Sequence, residues 1–228
     1  MTKVVKIGGV LLETPAVAVQ AIRPVLGDQT VIVHGGGVQI TRMLERMKVK
    51  SEFIEGLRVT DESTLSGVAA ALLGEVHTAL LGELQRQGVP AVGMFGAVHA
   101  SQKAGPWGLV GTNVQADAAA LKPVLDSGRI PVIPTLALGT ESLLNVNGDE
   151  TAAAVAVALQ CDELVFLTDV PGVKDAEGLV IEKAHRPDQL LTASFVSGGM
   201  IPKLRAVKTA MDGGIPLVRV GRTVFGAG

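Results

Sequence analysis

Cysteine, tryptophan and tyrosine are the residues that this sequence lacks most, since its 228 residues include one Cys, one Trp and no Tyr. The lone Cys161 excludes an internal disulfide and predicts a reducing, cytoplasmic environment. Because aromatic residues make up only 3% of the chain, the core must be built mainly from Ala, Val, Leu and Ile. The first residues lead directly into a predicted strand, so no signal peptide is expected.

An excess of charge of one sign is also missing. The chain carries 20 Lys+Arg against 22 Asp+Glu, for a formal net charge of -2, and has no block of basic residues. Since nucleic acids and anionic membranes are bound through basic surfaces, neither is expected as a partner. No uninterrupted apolar run approaches the roughly 18 residues that span a bilayer. A hydrophobic fraction of 47% excludes general disorder, and we expect small molecules as partners.

Short apolar segments alternate with longer helical segments along the chain. Six strands are predicted, at residues 4–7, 30–33, 91–94, 130–133, 164–168 and 217–220. Because most of them are continuously apolar rather than alternating, both faces of their sheet should be covered. The predicted fold is therefore α/β, an open αβα sandwich with a mainly parallel central sheet. Residues 50–60 and 96–111 have no helical period and are predicted to form hairpins or a lid.

A long helix is predicted from Asp61 to about Gln87, beginning at a capping signal. The apolar face predicted to meet the sheet consists of Leu65, Leu72, Val76, Leu80 and Leu84. The opposite side carries the small-residue stripe, defined as Gly67, Ala71, Gly74, Thr78 and Gly82. Each glycine inside a helix costs about 1 kcal/mol relative to alanine. Neutral drift is one explanation for the stripe, and a close crossing with the same helix of a second subunit is the other.

Two glycine-rich segments follow predicted strands. Lys6-Ile7-Gly8-Gly9 combines free backbone N–H groups with a positive charge, although a lysine at a strand end is more often simply solvated. His34-Gly35-Gly36-Gly37 lies between a strand and a helix, which is where ligands of open α/β sheets bind. The segment matches neither the Walker sequence nor the dinucleotide fingerprint. His34 is more typical of a hydrogen-bonded structural histidine than of a base.

Four further segments carry polar groups at predicted strand or helix ends. They are Gly56-Leu57-Arg58-Val59-Thr60, Asn145-Val146-Asn147-Gly148-Asp149, Thr168-Asp169 and Ser197-Gly198-Gly199-Met200-Ile201-Pro202-Lys203. A guanidinium such as that of Arg58 binds a carboxylate in bidentate fashion, but a surface arginine is the simpler interpretation. Likewise, Asp149 could cap a helix, and Lys203 could be one exposed charge of an amphipathic helix.

In this order the segments resemble the amino acid kinase family over nearly the whole chain. The matching motifs begin at Lys6, His34, Gly56, Asn145 and Gly199, and the segment around Arg58 points to the branch that acts on N-acetyl-L-glutamate. The resemblance implies phosphorylation of the side-chain carboxylate of this substrate by ATP, the second step of arginine biosynthesis. It also implies one domain, residues 1–228, with an acyl amino acid lobe at about 1–143 and a nucleotide lobe at about 144–228.

The resemblance further implies a role for each matching residue. Lys6 and Lys203 would approach the transferred phosphoryl group, and Asp149 would orient both lysines. The residues implied to bind substrate are Gly36, Gly37, Arg58, Asn145 and Asn147. The residues implied to bind nucleotide are Gly8, Gly9, Thr168, Asp169, Gly199 and Met200. No protein ligand to a metal is expected, because Mg²⁺ would be carried mainly by the ATP phosphates.

Several alternatives stay open at this point. The acceptor could be N-acetyl-2-aminoadipate or another amino acid carboxylate, or the protein could be a catalytically silent amino acid sensor. The presence of Lys6, Asp149 and Lys203 together argues against a sensor. We also expect a homodimer that arginine does not inhibit, because no residues precede the first predicted strand to form the extra helix of arginine-inhibited relatives. The sequence departs from the family at Pro202, and it ends at residues 226–228, about where the family has its last strand.

Overall fold

The computed structural model describes residues 1–226, which form β-sheets flanked by helices. The strands are β1 (Lys3–Ile7), β2 (Thr30–His34), β3 (Phe53–Ile54), β4 (Leu57–Arg58), β5 (Ala91–Gly93), β6 (Val98–Gln102), β7 (Gly111–Ala116), β8 (Ile130–Pro134), β9 (Leu136–Leu138), β10 (Leu143–Asn145), β11 (Glu163–Leu167), β12 (Lys183–Ala184), β13 (Leu217–Val220) and β14 (Thr223–Gly226). The helices are α1 (Pro15–Ile22), α2 (Gly37–Arg46), α3 (Glu62–Ala69), α4 (Thr78–Arg86), α5 (Ala118–Asp126), α6 (Gly148–Leu159), α7 (Asp188–Leu191) and α8 (Met200–Asp212). A π-helical segment, Ala70–His77, joins α3 to α4.

The central sheet contains eight strands in the order β12-β14-β13-β11-β1-β2-β8-β5. Neighbouring strands are parallel except for the β13-β14 pair. All six predicted strands lie in this sheet, so the predicted fold class is confirmed. Val31 and Val33 pack into one apolar cluster and Ile32 into another, because successive strand residues point to opposite faces. The sheet is therefore covered on both faces, and the carboxyl ends of its parallel strands share one edge.

The two segments predicted as hairpins pair as antiparallel strands. β3 and β4 form a two-stranded hairpin, and β6 pairs with β7 in a second sheet of order β10-β9-β6-β7. A strand also forms near the C-terminal end of the described residues, where β14 pairs with β13 and with β12. Residues 227 and 228 of the predicted terminal segment lie outside the described residues.

Residues Glu62–Arg86 form the predicted long helix, and the Asp61 carboxylate caps it by accepting from the Thr64 backbone N–H at 2.7 Å. By length and composition alone this helix is sufficient to cross a membrane, a test that core helices also pass. The sequence predicts that the small-residue stripe lies on one side of a regular helix. This prediction is wrong in part. Gly67 and Ala71 are buried within the chain, where a side chain on Gly67 would collide with Leu44 of α2. The π-helical segment shifts the register, so that Gly74 is exposed instead.

Candidate active site

Two cavities open at the carboxyl end of β1. The hairpin cavity, of about 230 Å³, includes the predicted substrate residues Gly36, Gly37, Arg58, Asn145 and Asn147. The loop cavity, of about 340 Å³, includes the predicted residues Thr168, Asp169, Gly199, Met200 and Lys203. Lys6, Gly8 and Gly9 line both cavities. A group held at this junction can therefore be approached from either side.

The three predicted catalytic residues meet at this junction. Lys6 Nζ lies 2.8 Å from one carboxylate oxygen of Asp149, and Lys203 Nζ donates to the other at 2.9 Å. The Lys6 contact is an ion pair. The side chains of Lys6, Asp149 and Lys203 are 14%, 8% and 11% exposed, so all three charges are largely removed from water. Pro202 lies in the first turn of α8, where proline is tolerated, and does not prevent Lys203 from reaching Asp149.

The charges of this cluster stabilise one another. Burial alone would raise the pKa of the Asp149 carboxyl, but the ammonium groups of Lys6 and Lys203 outweigh burial and hold the pKa below its usual value. Burial lowers the pKa of Lys203, and Asp149 only partly offsets this effect. The cluster carries two positive charges and one negative charge when all three groups are ionised. It therefore has a net positive charge with which to attract an anion.

Glycine leaves room for the backbone to face the junction. A side chain on Gly8 would come within 2.8 Å of Lys6 Nζ, so any larger residue would displace that ammonium group. Gly37 has open space around its Cα, at the N-terminus of α2, and its N–H group belongs to the first turn of that helix. Free N–H groups at such a terminus favour anions.

The Arg58 guanidinium is buried in the hairpin cavity with neutral oxygen partners. It donates to the hydroxyl groups of Ser51 and Thr41, the latter at 2.9 Å, and lies 4.6 Å from the centre of the Phe53 ring. Burial lowers the pKa of Arg58. Within residues 1–226 no carboxylate pairs with this guanidinium. A buried positive charge without a counter-ion is suited to a carboxylate ligand.

The two asparagines have different surroundings. Asn145 donates to the Thr60 hydroxyl at 3.1 Å, and that hydroxyl donates to the Arg58 carbonyl oxygen at 2.8 Å. Asn147 caps α6, since its side-chain oxygen accepts from the backbone N–H groups of Asp149 and Glu150. The predicted alternative that Asp149 itself caps this helix is therefore wrong. A substrate contact of Asn147 stays a prediction.

A pair of histidines lies behind the glycine loop, and only His34 belongs to a motif that the sequence shows. His34 is fully buried, with Nδ1 3.0 Å from the Gly35 carbonyl oxygen and Nε2 2.8 Å from His77 Nδ1. The pKa of His34 is lowered to about 4, mainly by burial and partly by the neighbouring His77, against the opposing effect of the hydrogen bond to Gly35. His34 is therefore a neutral structural residue, in agreement with the interpretation favoured above.

This histidine predicts acid sensitivity of the fold. Because the pKa of His34 falls from 6.5 when unfolded to about 4 when folded, its contribution to stability is present above pH 6.5 and is lost as the pH falls to about 4. The loss amounts to about 3 kcal/mol in the free energy of unfolding. Urea unfolding at several pH values should show a steeper acid loss in the wild type than in His34→Gln. The control His185→Gln changes an exposed histidine and should show the same pH dependence of the free energy of unfolding as the wild type. The same pH dependence in His34→Gln and the wild type would contradict the prediction.

Within residues 1–226 there is no group of three or more His, Cys, Asp or Glu side chains that could hold a metal ion.

The sequence and the fold were compared with those of known proteins. The amino acid kinase family matches residues 1–220. The chain is 39% identical over 234 residues to an acetylglutamate kinase from Acidobacterium capsulatum, which covers 96% of this chain and 90% of the relative. A structure from Streptococcus mutans UA159 aligns with a TM-score of 0.87 at 30% identity and covers 100% of this chain and 99% of its own. N-acetylglutamate synthase from Neisseria gonorrhoeae, complexed with coenzyme A and N-acetyl-glutamate, aligns with a TM-score of 0.85 at 25% identity over 100% of this chain and 59% of its own.

Proposed function

The chain belongs to the amino acid kinase family, and we infer from this premise that it transfers the γ-phosphoryl group of ATP to the side-chain carboxylate of N-acetyl-L-glutamate. The reaction belongs to arginine biosynthesis. The observation that best supports this chemistry is the buried cluster of Lys6, Asp149 and Lys203 at the junction of the two cavities.

We propose that the hairpin cavity, mainly in the lobe at about 1–143, binds acetylglutamate. The unpaired guanidinium of Arg58 would bind a substrate carboxylate, and the side chains of Asn145 and Asn147 would hydrogen-bond its polar groups. The backbone N–H groups of Gly36 and Gly37 would stabilise the anionic acceptor end. The support for this assignment is the charge of Arg58, which has only neutral partners among residues 1–226.

The loop cavity, mainly in the lobe at about 144–228, would hold ATP. Thr168, Asp169, Gly199 and Met200 line it and would contact the nucleotide. The magnesium that normally accompanies ATP would be carried mainly by the phosphates, which it would partly neutralise. This arrangement would place the γ-phosphoryl group beside Lys6, Gly8 and Gly9, at the entrance to the hairpin cavity.

Transfer between a phosphate and a carboxylate brings two anions together, so the protein must offset their repulsion. Lys6 and Lys203 would contact the oxygens of the transferred group from the two lobes, and the N–H groups of Gly8 and Gly9 would add hydrogen bonds. The carboxylate oxygen of the substrate would form the new P–O bond as the bond to ADP breaks, so no covalent enzyme intermediate is required. Asp149 would position both lysines by pairing with each.

Release of ADP with different acceptors tests this function. We expect turnover with N-acetyl-L-glutamate to exceed that with N-acetyl-2-aminoadipate, glutamate or aspartate. Absence of turnover with every acyl amino acid, or a clear preference for aspartate, would contradict the proposal. Binding of acetylglutamate without ADP release would favour the sensor alternative.

We further propose that the enzyme is a cytoplasmic homodimer, because ATP is supplied in the cytoplasm and because Gly74 is exposed on the long helix. A side chain on Gly74 would meet nothing within 4 Å inside the chain, so Gly74→Leu should not strain the subunit itself. At a close two-fold crossing the same leucine would clash with the partner helix and force the subunits apart. Light scattering should then report a monomer for Gly74→Leu and a dimer for Ala119→Leu, which introduces a leucine at an exposed position of α5. A dimeric Gly74→Leu protein would show that this glycine lies outside the interface.

A further inference from the structure

Trp107 lies on the loop that joins β6 to β7 and contacts the β3-β4 hairpin. Its indole N–H donates to the Ile54 carbonyl oxygen at 3.2 Å, next to the turn formed by Glu55 and Gly56. Lys103 Nζ lies 4.2 Å from the centre of the same ring on the loop side. A side chain on Gly105 would clash with the indole, so the ring rests directly on the loop backbone. The indole therefore connects the hairpin to the loop.

Besides the indole, Arg58 connects the hairpin to α2 through its hydrogen bond to Thr41, but within residues 1–226 the hairpin joins no larger sheet. β3 and β4 contain two residues each and pair only with one another. A two-stranded hairpin of this size is at best marginally stable without contacts to the rest of the protein. The same hairpin carries Phe53 and Arg58, whose ring and guanidinium lie 4.6 Å apart in the hairpin cavity.

The loop also contacts the strand that carries Asn145. Thr60 donates its backbone N–H to the Trp107 carbonyl oxygen at 2.9 Å and accepts from the Leu109 N–H at 2.6 Å. The Leu109 carbonyl oxygen accepts from the Asn145 N–H at 2.9 Å. One loop thus fixes the spacing between Arg58, which precedes Thr60, and Asn145. The backbone hydrogen bonds of this connection do not depend on the side chains present. The Trp107 indole adds a side-chain hydrogen bond next to the hairpin turn.

We propose that Trp107 is a positioning residue that holds the hairpin in the conformation that binds substrate, through its hydrogen bond to Ile54. The proposal rests on the assignment of the hairpin cavity to acetylglutamate. If only a fraction of the unliganded protein has the hairpin in place, the apparent affinity for substrate is reduced to that fraction of its full value. Once substrate has bound, its contact with Arg58 holds the hairpin, and the chemical step proceeds normally.

The test removes the indole N–H while keeping an aromatic ring, in Trp107→Phe. In the unliganded protein, amide hydrogens of residues 51–60 should exchange roughly threefold to tenfold faster than in the wild type, the effect of one net hydrogen bond. The KM for acetylglutamate should rise by at most the same factor, with kcat and the KM for ATP unchanged. Lys103→Ala, which removes a contact to the ring but not the hydrogen bond, serves as the matched control and should behave like the wild type.

Unchanged exchange in residues 51–60, or a fall in kcat at constant KM, would overturn the proposal. The exchange measurement needs no substrate. It therefore tests the role of the hydrogen bond from Trp107 to Ile54 even if acetylglutamate proves to be the wrong acceptor. Amide exchange in β1 and β2 should stay at the wild-type rate. This unchanged rate verifies that the variant is folded. Because the chain has one tryptophan, biosynthetic replacement by benzothienylalanine alters this site alone and replaces the indole N–H by sulfur, which cannot donate a hydrogen bond. If Trp107→Phe fails to fold, the protein with benzothienylalanine should show the same changes in amide exchange and in KM.

Discussion

Replacing Lys203 by alanine is expected to lower kcat by roughly 10²–10³-fold, the usual loss when one donor that stabilises a transition state is removed. The KM for acetylglutamate should change little, because Lys203 lines the loop cavity and not the hairpin cavity. The physical reason is that its ammonium group would act on charge that accumulates during phosphoryl transfer. Steady-state kinetics with saturating ATP separates the two parameters.

Two further variants make this result specific. Lys208→Ala removes an exposed lysine of the same helix, paired with Asp188 and Asp212, and should retain wild-type kinetics. Arg58→Lys keeps a positive charge but loses the bidentate geometry, so it should raise the KM for acetylglutamate more than it lowers kcat. A normal kcat with a raised KM for Lys203→Ala would mean that the roles of the two cations are exchanged.

Replacing Asp149 by asparagine is expected to destabilise the fold by about 3–5 kcal/mol, the usual effect of leaving a buried charge without its partner. Here two ammonium groups would lose their shared counter-ion, at side chains that are 14% and 11% exposed. Catalysis should fall as well, because neither lysine would be held at the junction. Urea unfolding at neutral pH measures the change in stability.

Asp188→Asn is the matched control, since Asp188 pairs with Lys208 at 3.0 Å on the surface and should contribute little. ATP at high concentration should restore part of the stability of Asp149→Asn, because its phosphates would supply negative charge near the lysines. An Asp149→Asn protein as stable as the wild type would show that the lysines have another counter-ion.

The fold was predictable because its signals are local. Mostly apolar runs of four or five residues identified six of the eight strands of the central sheet, and the Asp61 cap marked the start of the long helix. The π-helical segment was not predicted, because a change of helical period leaves no separate mark in the sequence. This change explains why Gly67 and Ala71 are buried although Gly74 is not.

The site was predictable where residues follow strand ends in a recognisable motif. Lys6, Asp149 and Lys203 are far apart in sequence, and their contact follows from the crossovers that place β1, α6 and α8 together. The contacts of His77 and Trp107 could not be predicted, because each lies in an ordinary helical or loop context. His77 meets His34 only through packing of the long helix on the sheet, and Trp107 meets Ile54 only across two hairpins.

Trapping of the product by hydroxylamine tests most directly whether the cluster of Lys6, Asp149 and Lys203 phosphorylates a carboxylate. An acyl phosphate reacts with hydroxylamine to give a hydroxamate, whereas simple hydrolysis of ATP gives none. With ATP and N-acetyl-L-glutamate, the wild type should form hydroxamate in step with ADP, and Lys203→Ala should form both roughly 10²–10³-fold more slowly. Release of ADP without hydroxamate, or an undiminished yield from Lys203→Ala, would contradict this mechanism.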